Sequence, residues 1–335
     1  MKPRDYDQDV ITRPASSQQG LISLQVVLAD YDRTRRIIDG RVKADGLDLK
    51  VTDLYAGDFC MMPIYEQYDV AEMSFSWYVM ARSRGAPVVA LPVFPLRMPV
   101  LAYILVNQDS PYYEPTDLVG KRIGASHYRL TVNLWLRGIL RDHYGLSPEQ
   151  ATWVTCETVE GAGFAIPSNI KHFVSEGSTA EQLLERGDVD AIFVPVLPQS
   201  FLEGRKFRRL FRDAQGEMHK YRERTGIIPT THTIVIKQSL SEREPWIAES
   251  LFHAFNEAQR QCDAYWLADE KHLSLTDAVF YLQQERAAYG INSWVNGVEP
   301  NRHVIETFVR YAHEQGYTSR RLSVEELFPP NTLLL

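Results

Sequence analysis

Nine histidines are spread along the 335-residue chain, and His232 stands in unusual company. It lies in Thr230-Thr231-His232-Thr233, which follows Gly226 and Pro229 and runs into the apolar Ile234, Val235 and Ile236. An imidazole with an ordinary pKa of about 6.5 gives or takes a proton near neutrality. At the mouth of an apolar strand, His232 is therefore the candidate general acid. Glu72 and Asp30, both at expected strand ends, are the carboxylates placed to orient it or to accept a proton. Arg33, Arg97 and Arg129 stand at similar junctions, and their planar forks suit two-point binding of carboxylates. Ser74, Ser76, Thr131 and Thr231 offer hydroxyls. His127 is a second histidine beside the Tyr128-Arg129 pair, and the Tyr128 ring could stack on a flat ligand. Proton transfer on an anionic small molecule is the chemistry these residue types could perform.

The composition narrows the partners. A formal charge of −7 argues against a general nucleic-acid binder, yet a few arginines in one cleft can still hold an anion. Cys60, Cys156 and Cys262 are too few and too scattered for a disulfide framework or a cysteine-based zinc site, and read as buried thiols. No His-x-His or His-Glu-x-x-His is present, so no cofactor is expected; His232, Glu72 and Asp30 are the set that could meet a divalent ion from separate segments. Residues 1–20 read as a polar arm without the apolar centre of a secretory signal, which places the protein in the cytoplasm. The stretch GAPVVALPVFPLRMPVLAYILV is cut by four prolines and an arginine and cannot supply a membrane span of about 20 residues.

Elements must bring these side chains together. From residue 22, strand patterns (ISLQVVLA, LDLKVTDL, VAEMSFS, PVVALPVF) alternate with helical ones (DRTRRIID, DFCMMPIYEQ, WYVMARSRG), the rhythm of a parallel sheet covered on both faces. The prolines of 87–99 break it. A second α/β unit follows, with the amphipathic helix RLTVNLWLRGILRDHYG closed by Gly145, and a capping box at Ser178 and Glu181. The strand at 233–237 returns to the first unit. Expected boundaries are 21–107 and 225–335 for lobe one and 108–224 for lobe two, with a ligand cleft between them.

Several stretches together resemble the 4,5-dihydroxyphthalate decarboxylase family: DYDRTRRIIDGRV, DVAEMSFSWYVMARSRG, LPVFPLRM, DLVGKRIGASHYRLTVNLWLRGIL and RTGIIPTTHTIVIK. The similarity runs in order over most of residues 22 to 260. It implies an α/β, two-lobed, type II periplasmic-binding-protein-like fold. It also implies a lyase of aromatic (phthalate) catabolism: non-oxidative loss of one carboxylate from 4,5-dihydroxyphthalate, giving 3,4-dihydroxybenzoate and CO2. Such a reaction needs cations for two carboxylates, an acceptor for a phenol proton and an acid aimed at the ring carbon. The partner is then a small aromatic dicarboxylate, with neither nucleic acid nor membrane, and self-association into a homo-oligomer stays open. The rival reading is a cytoplasmic solute-binding or sensor protein that clamps an aromatic carboxylate without catalysis, since one fold hosts many functions.

Overall fold

The computed structural model describes residues 20–157, 165–268, 275–290 and 294–335. The polar arm expected over 1–20 falls outside them, apart from its last residue. Two sheets form the frame. The first has the order β2 (Leu47–Asp53), β1 (Ile22–Leu28), β3 (Val70–Ser74), β11 (His232–Lys237), β4 (Val88–Leu91). The second runs β10 (Phe207–Arg209), β5 (Ile104–Asn107), β9 (Ala191–Phe193), β6 (Arg122–Ala125), β7 (Thr152–Thr155), β8 (Lys171–Val174).

Helices cover both sheets. Helices α1 (Arg35–Ile38), α2 (Ala56–Phe59) and α3 (Phe75–Ser83) alternate with the first strands. Next come α4 (Thr131–Tyr144), α5 (Ala180–Arg186), α6 (Gln199–Leu202) and α7 (Ala214–Thr225). After β11 follow α8 (Gln238–Arg243), α9 (Trp246–Ala268), α10 (Ala278–Tyr289) and α11 (Arg302–Glu314). The α4 pattern ends where expected, because Gly145 takes the left-handed conformation at φ 72° that closes the helix.

Three expectations shift. The sheets are not wholly parallel: β11 runs antiparallel to both β3 and β4, and β5 runs antiparallel to β9 and β10. Strand β5 belongs to the second sheet, so the chain has already crossed before residue 104. The capping box of α5 sits one residue later than read, with Thr179 as N-cap and Gln182 as its partner.

The crossing itself is a pair of antiparallel segments. Met98 N–H donates to Pro229 O at 3.0 Å and Thr231 N–H to Leu96 O at 2.8 Å, with a bridge between Arg97 and Thr230. One apolar cluster joins the lobes, with Phe75, Tyr78 and Phe94 from the first and Trp135, Trp153 and Phe193 from the second. Helix α11 completes this cluster with Phe308 and Tyr311. Trp135 lies against both rings at 5.4 and 5.8 Å and donates its indole N–H to Thr230 O at 2.7 Å.

Helices α4 and α11 meet at Gly138, where an added Cβ would overlap the Tyr311 ring. In an open helix, alanine for glycine gains about 0.5–1 kcal/mol. Here overpacking reverses the sign: Gly138→Ala is expected to destabilise the protein by about 1–3 kcal/mol in denaturant unfolding. Unchanged or greater stability would show that the two helices are not pressed together there.

Candidate active site

The site grows from the register of β3 against β11. Ser74 lies opposite His232 and Glu72 opposite Ile234, so Glu72, Ser74 and His232 share one face of the sheet. Glu72 is completely buried, and three segments supply its partners. Ala29 N–H donates to Oε2 at 3.2 Å, Tyr31 O–H to Oε1 at 2.9 Å, and His232 Nδ1 lies 2.5 Å from Oε1. The His232 side chain keeps 12% exposure. Burial pulls its imidazole down, but hydrogen bonding to Cys60 and Glu72, with their charge, outweighs this and raises the pKa from 6.5 to about 10. These contacts favour the protonated form of the ring. Burial, and then the charge of Glu72, push the Tyr31 phenol far up, so it stays a neutral donor.

Arg33 stands beside this group. Its guanidinium lies 4.3 Å from the ring centres of both Tyr31 and Trp294. It also donates to Pro95 O and to Asp32 Oδ1. Sandwiching between two rings holds the planar fork in one orientation.

Below the pair, Ser74, Ser76 and Thr131 form a buried hydroxyl cluster where α3 and α4 begin. Ser74 Oγ and Thr131 Oγ1 are 2.8 Å apart, Thr131 donates to Ser76 Oγ at 2.9 Å, and Ser76 Oγ donates to Arg129 O at 2.9 Å. Thr131 Oγ1 also accepts the Ser76 N–H at 3.0 Å. These hydroxyls fasten one lobe to the other. Thr231, also buried, donates its hydroxyl to Leu96 O at 3.2 Å in the crossing pair. The first turn of α4 contains no acidic residue, so the positive end of its dipole is not offset from within.

Other sequence candidates take different places. Asp30 is exposed and pairs with Arg35, so the set His232, Glu72 and Asp30 does not converge. Among the described residues, no three His, Cys, Asp or Glu side chains gather in a way that could hold a metal ion. Arg97 is buried and donates to Val295 O at 2.9 Å and Asn301 Oδ1 at 2.8 Å, which ties it to the C-terminal segment. Burial, then the nearby Arg33, lower its pKa to about 10. Tyr128 is a core ring, against Trp153 and under the Arg137 guanidinium at 3.8 Å. The bulk of that ring is what places it inside. Arg129 lies over Trp77 at 4.7 Å, and burial lowers its pKa. His127 Nε2 lies 2.7 Å from Glu157, on the second lobe.

Two residues of the site gave little signal in the sequence. Cys60, read only as a buried thiol, accepts the Ser74 N–H through its carbonyl at 2.9 Å, and its side chain adds to the raised pKa of His232. Trp294 comes from the far end of the chain and donates to Phe94 O at 2.9 Å. Nothing local marks it as a neighbour of Arg33.

Comparison with known proteins places the chain. No protein-family model matches it. It is 32% identical over 324 residues to the 4,5-dihydroxyphthalate decarboxylase of Comamonas testosteroni, covering 93% of this chain and 98% of that protein. With the 4,5-dihydroxyphthalate decarboxylase of Pseudomonas putida it shares 33% identity over 204 residues, 58% of this chain and 79% of the other. Among solved structures, the periplasmic aliphatic sulphonate binding protein SsuA from Escherichia coli matches with a TM-score of 0.55 at 15% identity, over 93% of this chain and 99% of that one. The alkanesulfonate-binding protein SsuA from Xanthomonas axonopodis pv. citri bound to MOPS gives 0.53 at 14%, over 92% and 99%. At such identity the likeness is one of fold, the two-lobed type II periplasmic-binding-protein-like architecture. Sequence identity sustained over nearly the whole length of both proteins goes further: the chain belongs to the 4,5-dihydroxyphthalate decarboxylase family.

Proposed function

We propose that this protein removes one carboxylate of 4,5-dihydroxyphthalate as CO2, without oxidation, and leaves 3,4-dihydroxybenzoate. One observation carries the reading: a histidine at the lobe junction lies 2.5 Å from a fully buried Glu72, whose other partner Tyr31 carries the Arg33 guanidinium over its ring. Each carboxylate of this substrate lies para to a hydroxyl. Loss of that phenolic proton to solvent moves electron density to the carboxyl-bearing carbon, and the oxygen takes a proton back after CO2 has left. The His232 imidazolium protonates that carbon, the bond to the carboxylate breaks, CO2 departs and the ring becomes aromatic again. Nδ1 is committed to Glu72, so Nε2 is the nitrogen assigned to this transfer. Arg33 and the N-terminal end of α4 receive the two carboxylates. The sum is a proton in and CO2 out, and no electron acceptor takes part.

The direct test is incubation of the purified protein with 4,5-dihydroxyphthalate in the presence of EDTA. CO2 and 3,4-dihydroxybenzoate are the expected products. Tight binding with no turnover would instead make it a clamp for the diacid, the reading that its likeness in fold to binding proteins favours. Turnover that stops with EDTA and returns with one divalent ion would keep the reaction and overturn the metal-free mechanism.

Two substitutions test the roles. His232→Gln keeps the size and a hydrogen-bond donor but cannot deliver a proton; kcat is expected to fall by about 10²–10⁴-fold with substrate binding largely kept. Near-normal kcat in the folded variant would remove His232 from the proton path.

The second concerns pH. A raised imidazole pKa means the acid form persists through neutrality and is lost as pH climbs through about 10, and the pair's contribution to stability goes with it. In Glu72→Gln, burial is no longer opposed by a neighbouring carboxylate, so the high-pH limb of kcat should move toward neutrality by at least about one unit. A limb that stays in place would separate the titrating group from this pair.

A further inference from the structure

Away from His232, the edge of the second sheet carries a cleft of about 1030 Å3 between β10, α6, α7 and α10. Arg208, Arg209 and Arg212 line it. In this acidic chain, surface arginines such as Arg141, Arg186, Arg302 and Arg320 pair with neighbouring carboxylates. Among the described residues, none of the three cleft arginines forms an ion pair.

They are held by other means. Arg208 donates all five of its N–H groups to the carbonyls of Gln108, Arg209, Leu210, Ser110 and Tyr112, so it supplies charge but no open fork, while Arg209 donates only its Nε–H, to Ala102 O at 3.1 Å. Carbonyls fix a guanidinium without cancelling its charge. The Tyr113 ring lies 4.0 Å from the Arg208 guanidinium and 3.7 Å from that of Arg212, while Phe201 lies 4.9 Å from Arg209. Two carboxylates also line the cleft. Asp213 is engaged in capping α7 through the Gly216 N–H at 2.8 Å. Glu285 is pushed up by burial, with His219 and Arg222 acting against it. The result is a surplus of oriented positive charge, with aromatic and apolar wall supplied by Tyr113, Phe201 and Met218.

We propose that this cleft is a second binding site, for a planar aromatic carboxylate, separate from the His232 site. The guanidinium ends of Arg209 and Arg212 recognise the flat anionic group, and the apolar wall takes up the flat body. The cleft also touches Pro99 and Ala102, just after the crossing between lobes, so an occupant bridges that connection and α7.

Calorimetric titration of the intact protein with phthalate tests this, since phthalate lacks the hydroxyls that the proposed reaction needs. Two molecules per chain are expected. Arg212→Ala combined with Arg209→Gln should weaken one of them by about tenfold or more, the scale of a lost charge-assisted hydrogen bond. The other site, and kcat with 4,5-dihydroxyphthalate, should be unaffected. Among the described residues Arg212 makes no hydrogen bond, and it is exposed, so Arg212→Ala alone serves as the variant that keeps the fold. One phthalate per chain, lost in Arg33→Ala and indifferent to the cleft variants, would overturn the proposal. So would two sites that both ignore them, or no binding at all. A failed decarboxylation assay would sink the reaction proposed above and leave this stoichiometry to be read by itself.

Discussion

The Glu72 carboxylate has no contact with water. Placing such a group in a protein interior costs several kcal/mol unless every lone pair is answered. The answers come from the end of β1, from the loop beyond it and from β11, segments separated by some two hundred residues of chain. The order of the first sheet follows from this demand as well as from its apolar faces. Strand β11 must lie against β3, and in a register that sets His232 diagonal to Glu72. A charge that must be met from three directions leaves little freedom to the backbone that meets it, and a proton donor needs that rigidity.

The lobes are joined by more than a pair of linkers. Their common core contains Phe75 and Trp135, and the hydroxyl cluster of Ser74, Ser76 and Thr131 spans the junction. Each such hydrogen bond contributes only about 0.5–1.5 kcal/mol net, but leaving one buried hydroxyl unmet costs more than making the bond gains. Opening the junction would expose all three together. The junction between the lobes is fastened at the level of these hydroxyls.

Much of this was legible in the residues. Period-two runs marked the strands, Gly145 marked the end of α4, and the threonines around His232 marked the mouth of a strand. Pairing was harder to read. Nothing in LAYILV says that β5 joins the second sheet, because a strand's partners are chosen by the whole assembly and not by its own alternation. The site divided along the same line. His232, Glu72 and Arg33 declared themselves through charge at a strand end. Asp30 carried the same signal and turned outward to Arg35, one helical turn away. Arg97 had the right position but found its acceptors in a segment near residue 300. Cys60 and Trp294 were silent because ordinary residues become site residues only through what the fold sets beside them.

Strand β11 lies inside the first sheet, between β3 and β4, although it is the last strand to be made. On the ribosome, a chain that has reached residue 209 holds every strand of the second sheet and four of the five of the first. Until β11 arrives, β4 has no neighbour in its sheet and β3 offers an open edge. The nascent first lobe therefore waits, incomplete and in need of protection, while the later lobe can already close. Vectorial synthesis and structural completion run in opposite orders in this molecule, and the strand that ends the wait is the one that delivers His232.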